Sequence, residues 1–512
     1  MKAIQTDYCV IGAGYSGLAA ALRLMQTGNS IVVVEARDRA GGRIFSHHLS
    51  DGTTFDVGGA WVSDWPAQPH IRNLMQQVEG LTGKPIKMFT QYEKGMNVFL
   101  HTDGHIDYYD ASAPLLAGLP PIGEAGKLEV AAFIGVLSQL STYVVADAPW
   151  TPVHFPSDLV LLTGGAPAST TEADQMTLLE TIDSNLDIAE ARQLMYTLFS
   201  NLLGKDLTAV SLLHMLFMLK TFNSNIQGMT GSGENQAEHY RLHGGAQQMA
   251  LRIAEYLGDK LYLNEPVQKI TSKDHGVVVE SAGLRIEAKR AIVTVPVSLV
   301  GKITFDPALS AERVQLQDDF GMGSVWKIWV AYDTPFWREP GYQGQQEGLS
   351  GESITANSHT FIMTTLDGSE DTTATGLLVA FVGGAKGILF QQKTREERKA
   401  IILEELASRF GEAAAKPSAN VHFLPLEPQN PFADSYFEWN WTIEPYTHGA
   451  FAGIPGTGTY TQSGETLRQS YGRVHWAGVD TSTYPYASMS GAVQAGERAA
   501  TEALLAEENR HQ

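Results

Sequence analysis

The sequence predicts an α/β fold: a discontinuous nucleotide-binding domain with a second, α+β domain inserted into it. Three stretches carry that prediction. The segment 7-DYCVIGAGYSGLAAALRLMQTGNSIVVVEARD-38 reads as a buried strand, a glycine-rich turn, an apolar helix and a second strand ending on an acid. In the middle, 240-YRLHGGAQQMALRIAEYLGDKLYLNEPVQKI-270 is a Gly-Gly turn into an amphipathic helix and then a strand. Near the other end, 473-RVHWAGVDTSTYPYASMSGAVQAGERAATEAL-504 is a short strand, a loop and a helix rich in small residues.

Size and composition suit that organisation. A chain of 512 residues exceeds what one hydrophobic core supports, and 43% apolar residues point to ordered globular packing. The formal charge of -20 repels a phosphate backbone or an anionic bilayer, so neither nucleic acid nor a membrane is an expected partner, and a neutral or cationic small substrate is. The single cysteine, Cys9, lies in an apolar run and reads as a buried strand residue. No leader pattern and no run of about 18 apolar residues is visible, so a cytoplasmic protein is expected.

In the first segment each glycine has its own task. Gly12 permits the tight turn, Gly14 lets the backbone approach a pyrophosphate, and Gly17 allows close packing of helix on strand. The helix N-terminus presents unpaired N–H groups and its dipole to the phosphates. Glu35 is placed to accept from a ribose hydroxyl pair. This is a Rossmann-like unit.

The second strand runs on into 37-RDRAGGR-43, and 56-DVGGAWV-62 repeats a glycine pair before an aromatic residue. At this point the chain resembles the flavin amine oxidase family, the monoamine oxidases among them. The resemblance implies a discontinuous FAD-binding domain with Glu35, Arg37 and Arg43 on the nucleotide side. It also implies that Gly58, Gly59, Ala60 and Trp61 run past the flavin, that Val267 contacts the adenine through its backbone, and that Asp480 stands where the family usually has Glu. Met489, at the start of the last helix, belongs to the same cofactor-binding set.

The family's remaining site features are carried by two further stretches. In 440-NWTIEPYTHGAF-451 the resemblance puts Ala450 where monoamine oxidases carry a flavin-tethering cysteine, and Phe451 at an aromatic position facing the substrate. Alanine has no nucleophile, so FAD is expected to be held non-covalently, and Gly449 and Ala450 are expected to make room for the flavin edge. The opposite aromatic position is Ser488, with Tyr484 and Tyr486 left as substitutes. In 294-TVPVSLVGKITFDPAL-309 the resemblance puts the catalytic lysine, which holds a water near flavin N5, at Lys302, and it assigns Trp441 to the tryptophan beside it.

With cofactor elements at the start, middle and end, the FAD-binding domain is expected over 1-87, 240-297 and 444-512. The substrate domain is expected over 88-239 and 298-443, a mixed sheet floor with helices on one side. In the first insert 124-144 and 187-204 read as helices, 163-TGGAPASTTEADQMT-177 as a loop, and 223-NSNIQGMTGSGENQAEH-239 as a loop that could cover the pocket. In the second, 324-SVWKIWVAY-332 and 375-TGLLVAFVGG-384 read as strands and 394-TREERKAIILEELASRF-410 as a helix.

The resemblance implies oxidation of a small, primary, hydrophobic amine to an aldehyde, with dioxygen as acceptor and release of ammonia and hydrogen peroxide. A polyamine or L-amino acid oxidase of the same fold and a non-catalytic flavoprotein partner stay open as alternatives, as does homodimerisation. No metal centre is expected, since the adjacent His47 and His48 point to opposite faces of a strand.

Overall fold

The computed structural model describes residues 1–64, 66–157 and 166–509. Its nucleotide-side sheet has the order Thr304–Asp306, Val267–Lys273, Gly276–Ser281, Leu284–Val293, Lys2–Ile11, Ile31–Val34, Leu261–Tyr262, and Val474–Trp476 also pairs with Leu284–Val293. Lys2–Ile11 is the central strand, parallel to both neighbours, and its last four residues, Tyr8 to Ile11, are buried. Cys9 is among them, and burial pushes its thiol up to about 12. The sheet thus draws on the start, middle and end of the chain. It extends past residue 297, where the second insert was expected to begin, because Thr304–Asp306 pairs with Val267–Lys273.

The helix Tyr15–Gln26 follows the glycine turn and buries Leu18, Leu22 and Leu24 beneath the sheet, each contributing about 2 kcal/mol. Against it lies the C-terminal helix Met489–Glu508. A Cβ at Gly496 would sit 2.0 Å from the Ser16 carbonyl, so the small residues of that helix serve backbone-to-backbone approach.

The second sheet has the order Tyr436–Asn440, Val325–Tyr332, Gly376–Gly383, Thr364–Asp367, Leu349–Thr355, Met96–Leu100, Ile106–Tyr109. Only the contact between Leu349–Thr355 and Met96–Leu100 is parallel. Helices cover both of its faces, where one was expected. One face packs on Arg395–Phe410 through Ile328, Val330, Leu378 and Ala380. The other meets the cavity and the helical layer, whose core includes Phe133, Leu194, Phe199 and Met215. This double cover explains why Val325–Tyr332 is buried at every residue and reads as a continuous apolar run rather than an alternating one.

Two loop expectations change. Of 163–177, residues 163–165 lie outside the described residues, and the rest contains the helix Thr170–Gln175, capped by the Ser169 side chain. Within 223–239 one short helix forms, Ile226–Thr230. That segment does line the cavity, through Met229, Thr230, Ala237 and Glu238.

Candidate active site

A single cavity of about 760 Å³ runs from the glycine turn, between the two sheets, into the helical layer. Its nucleotide end is built by short-range geometry. Gly12 has φ +107°, and a Cβ there would lie 2.2 Å from Thr294 Oγ1; a Cβ on Gly17 would lie 1.9 Å from the Gly12 carbonyl. At Gly14 the nearest atom is 3.9 Å away, which leaves that backbone open to the cavity. The Glu35 carboxylate is held by the N–H groups of Ala13 at 2.7 Å and Arg37 at 2.9 Å, with lone pairs left for a diol. Arg43 donates to the Phe451 carbonyl at 2.7 Å and lies 3.9 Å from Asp480. Asp480 is buried and accepts from Gly453 N–H at 2.8 Å and Val297 N–H at 2.9 Å, so it ties the strand Ala450–Pro455 to the 3-10 turn Val297–Lys302. Val267 lines the same end, at the start of its strand.

The middle of the cavity is lined by Gly58, Gly59, Ala60, Trp61, Trp441, Ala450, Phe451 and Met489. Trp441 is fixed by donation to the Val57 carbonyl at 3.1 Å, and Trp61 by donation to Gln91 at 2.9 Å. Gly58 is small because a Cβ would meet the Arg43 carbonyl at 2.0 Å. Gly449 has a similar reason, at variance with its expected role: a Cβ there would lie 2.3 Å from the Gly323 carbonyl, so packing on the neighbouring strand requires the glycine. Ala450 does face the cavity.

Neither tyrosine moves into the place opposite Phe451. Tyr486 is buried against His214 and Phe217, and its hydroxyl donates to the Gly453 carbonyl; the Tyr484 hydroxyl donates to the Pro66 carbonyl. Ser488 caps the last helix, accepting from Gly491 N–H at 2.9 Å.

Lys302 does not have the setting expected for it. Lys302 ends a 3-10 turn, Val297–Lys302, rather than sitting on an apolar strand; it is exposed at the cavity rim, with its ammonium 2.9 Å from His448 Nε2. The buried lysine is Lys327, in the middle of Val325–Tyr332. Its Nζ donates to the Gly58 carbonyl at 2.9 Å and stands 4.8 Å from the centre of the Trp61 ring. Burial lowers its pKa to about 7, against the opposing pull of the buried Asp56 carboxylate. The signal was present in 325-VWKIWVAY-332, one cation in a strand otherwise free of charge. Burying a lysine is costly without a polar task.

Two further residues escaped sequence reading, Glu238 and Glu352. Both line the cavity that Lys327 also lines. Burial and the Glu352 charge push Glu238 up to about 8, while Lys327 acts in the opposite direction; burial, partly offset by Asn97 and with a further push from Glu93, raises Glu352 to about 7. Arg241, a candidate carboxylate partner by sequence, is buried outside the cavity and donates to the Ser369 carbonyl at 3.2 Å. The expectation of no metal centre also took the chain to lack an HxxxH spacing, and 101-HTDGH-105 is one. His101, His105 and Asp107 cluster on a hairpin, where Glu190 lies 2.9 Å from His101 Nδ1 and Asp103 lies 2.5 Å from His105 Nδ1.

A nucleotide cradle opening directly onto a largely apolar chamber with a buried lysine is the arrangement of a dinucleotide-binding enzyme. Residues 15–504 match the family model for flavin containing amine oxidoreductase. The chain is 31% identical to amine oxidase [flavin-containing] B of Sus scrofa, over 98% of this chain and 86% of that one. It is 30% identical to an L-amino acid dehydrogenase of Synechocystis sp., over 96% and 94% respectively. Wild-type putrescine oxidase bound to putrescine superposes with a TM-score of 0.82 at 28% identity, covering 98% of this chain and all of that one. The chain belongs to the flavin-containing amine oxidoreductase family and is FAD-dependent. The residues present fit that cofactor: the open backbone at Gly14, the free lone pairs of Glu35 and the small Ala450 leave a continuous space from nucleotide to flavin, with no nucleophile at residue 450 for a covalent tether. Among the described residues no helix is long and apolar enough to cross a membrane.

Proposed function

We propose that this chain oxidises a small primary amine to an imine, which water converts to an aldehyde and ammonia, with dioxygen as the acceptor and hydrogen peroxide as the second product. Bound FAD supplies the redox step by taking a hydride equivalent from the amine's α-carbon. The observation that carries the reading is Lys327, buried beside the run Gly58–Trp61 with a pKa near neutrality.

In this reading Lys327 holds a water at the reacting face, while Gly58 fixes the direction of its ammonium. Phe451 and Trp441 set the walls between which the amine stands. The surrounding apolar side chains Leu198, Ile354 and Phe381 keep bulk water out and favour the neutral amine that oxidation requires. A carboxylate-bearing substrate has less support: the arginines that line the cavity are Arg37 and Arg43, both at the nucleotide end. A purely structural flavoprotein is disfavoured by the cost of keeping Lys327 buried.

The test is the visible spectrum of the holoenzyme under anaerobic conditions with a panel of primary amines, secondary amines, polyamines and amino acids. Bleaching of the flavin band by primary amines, with peroxide on admission of air, is the expected result. Bleaching by amino acids alone would replace the proposal with an amino acid oxidase or dehydrogenase.

A further inference from the structure

The hairpin of Met96–Leu100 and Ile106–Tyr109 carries a second cluster of ionisable side chains, none of which lines the cavity. The His101 N–H donates to the His105 carbonyl at 3.0 Å, so the two histidines close the ladder as an opposed pair and their side chains leave one face. Asp107, two residues beyond His105, shares that face, which brings the three polar residues of 101-HTDGHID-107 together. His101 has only 7% of its side chain exposed and stands edge-on to Phe99, ring centres 4.6 Å apart, so the core fixes its place. His105 and Asp107 are exposed.

Each imidazole has a carboxylate behind it. Glu190, in the first turn of the helix Ala189–Leu203, lies 2.9 Å from His101 Nδ1 and accepts the Thr102 N–H at 3.2 Å. Asp103 lies 2.5 Å from His105 Nδ1 and accepts the His105 N–H at 3.0 Å. A carboxylate only accepts, so in each neutral ring the hydrogen sits on Nδ1 and the lone pair on Nε2. Both Nε2 atoms face Asp107 Oδ2, at 3.2 Å from His101 and 3.8 Å from His105. Lone pairs repel a carboxylate oxygen unless a proton or a metal ion stands between, and among the described residues the ion-pair partners of Asp103, Asp107 and Glu190 are these two imidazoles. Four-coordinate zinc sets its donor atoms roughly 3.3 Å apart. The two distances to Asp107 bracket that value, and all three donor atoms lie within 4.8 Å of one another.

We propose that His101 Nε2, His105 Nε2 and an Asp107 carboxylate oxygen bind one divalent transition ion of the zinc class, with water completing the tetrahedron, while Glu190 and Asp103 orient the two rings from behind. Two imidazoles and one carboxylate suit zinc rather than calcium or magnesium, which take oxygen ligands. The rings stack with centres 3.7 Å and planes 11° apart, so their lone pairs run side by side. Taking up the ion turns the exposed His105 ring toward Asp107, and Asp103, in the same turn, follows it. The ion closes the hairpin turn and, through the His101–Glu190 bond, ties it to the helix that lines the cavity with Leu194, Met195 and Leu198. A metal on Nε2 makes the Nδ1–H a stronger donor, which tightens that tie.

The test titrates EDTA-stripped, desalted holoenzyme with Zn2+ by calorimetry and records melting curves beside it. The expected result is one ion per chain, not displaced by millimolar Mg2+ or Ca2+, and a melting temperature raised by a few degrees at saturation. His105→Ala and Asp107→Ala each remove a donor at an exposed position; binding should weaken by at least about thirtyfold, with flavin absorbance and the melting temperature in EDTA close to those of the wild type. Glu190→Gln should weaken binding about tenfold or more while all three donors remain. Absence of zinc binding by the wild type, or equal affinity in His105→Ala and Asp107→Ala, overturns the inference. So does displacement by millimolar Mg2+, the mark of an unspecific acidic surface. A wild-type melting temperature that follows pH through the imidazole range and ignores Zn2+ also overturns it, and makes the cluster a set of protonated ion pairs.

Discussion

Lys327 Nζ donates to the Gly58 carbonyl at 2.9 Å, joining the strand Val325–Tyr332 to the glycine run Gly58–Gly59 that lines the middle of the cavity. Among the described residues that line the cavity, Lys327 is the one cation away from the nucleotide end and the rim, and this bond directs its ammonium toward the glycine run.

Replacing Lys327 with Met keeps the volume and removes the donor. Stopped-flow traces should show flavin reduction or reoxidation slowed by about two orders of magnitude or more, while the purified protein stays yellow. If both half-reactions keep their rates, the lysine has no part in the chemistry. Lys302→Met is the matched control: exposed and tied to His448, it should alter kcat by no more than about threefold. A hundredfold loss there would restore the role to Lys302.

The same substitution has a signature in stability. Lys327 titrates at about 7 in the folded chain, against 10.5 for an ordinary lysine. As pH falls below the unfolded value, the unfolded chain takes up a proton that the folded chain refuses until about pH 7. This lysine therefore weakens the fold increasingly from about pH 10 down to about pH 7, with no further loss below. Melting curves of Lys327→Met and wild type should diverge over that window, the variant gaining relative to the wild type as pH falls. A constant difference would show that the ammonium is not desolvated.

Ala450 offers no atom to which a flavin could be tethered. Acid precipitation should leave the yellow colour in the supernatant. Colour in the pellet would require a covalent link through some other residue.

Gly17→Ala adds a Cβ 1.9 Å from the Gly12 carbonyl, a backbone atom that cannot step aside. The expected product is colourless or insoluble protein, with any folded fraction melting at least several degrees lower. Retention of FAD at normal stoichiometry would mean that the turn tolerates a shift the tight contact argues against.

The nucleotide end was legible in the chain because its determinants are local. Gly12, Gly14, Gly17 and Glu35 lie within one strand–turn–helix–strand unit, and each residue type follows from backbone geometry over a few positions. The resemblance extended this to Arg43, Trp61, Trp441 and Phe451, all of which line the cavity.

The lysine could not be placed by the same means. Lys302 and Lys327 both follow apolar runs, and linear sequence does not show that one ends an exposed turn while the other points inward from a doubly covered sheet. Glu238 and Glu352 were further out of reach, since residues 114 apart in the chain come to line one cavity only through the tertiary fold. The chain's own pattern determined that the cofactor is a dinucleotide and which strand–turn–helix receives it, and the resemblance added the missing tether at Ala450. Tertiary structure alone decided which charged groups share the chamber, because desolvation and charge coupling depend on distances that side chains acquire only when the two sheets and the helical layer close around one space.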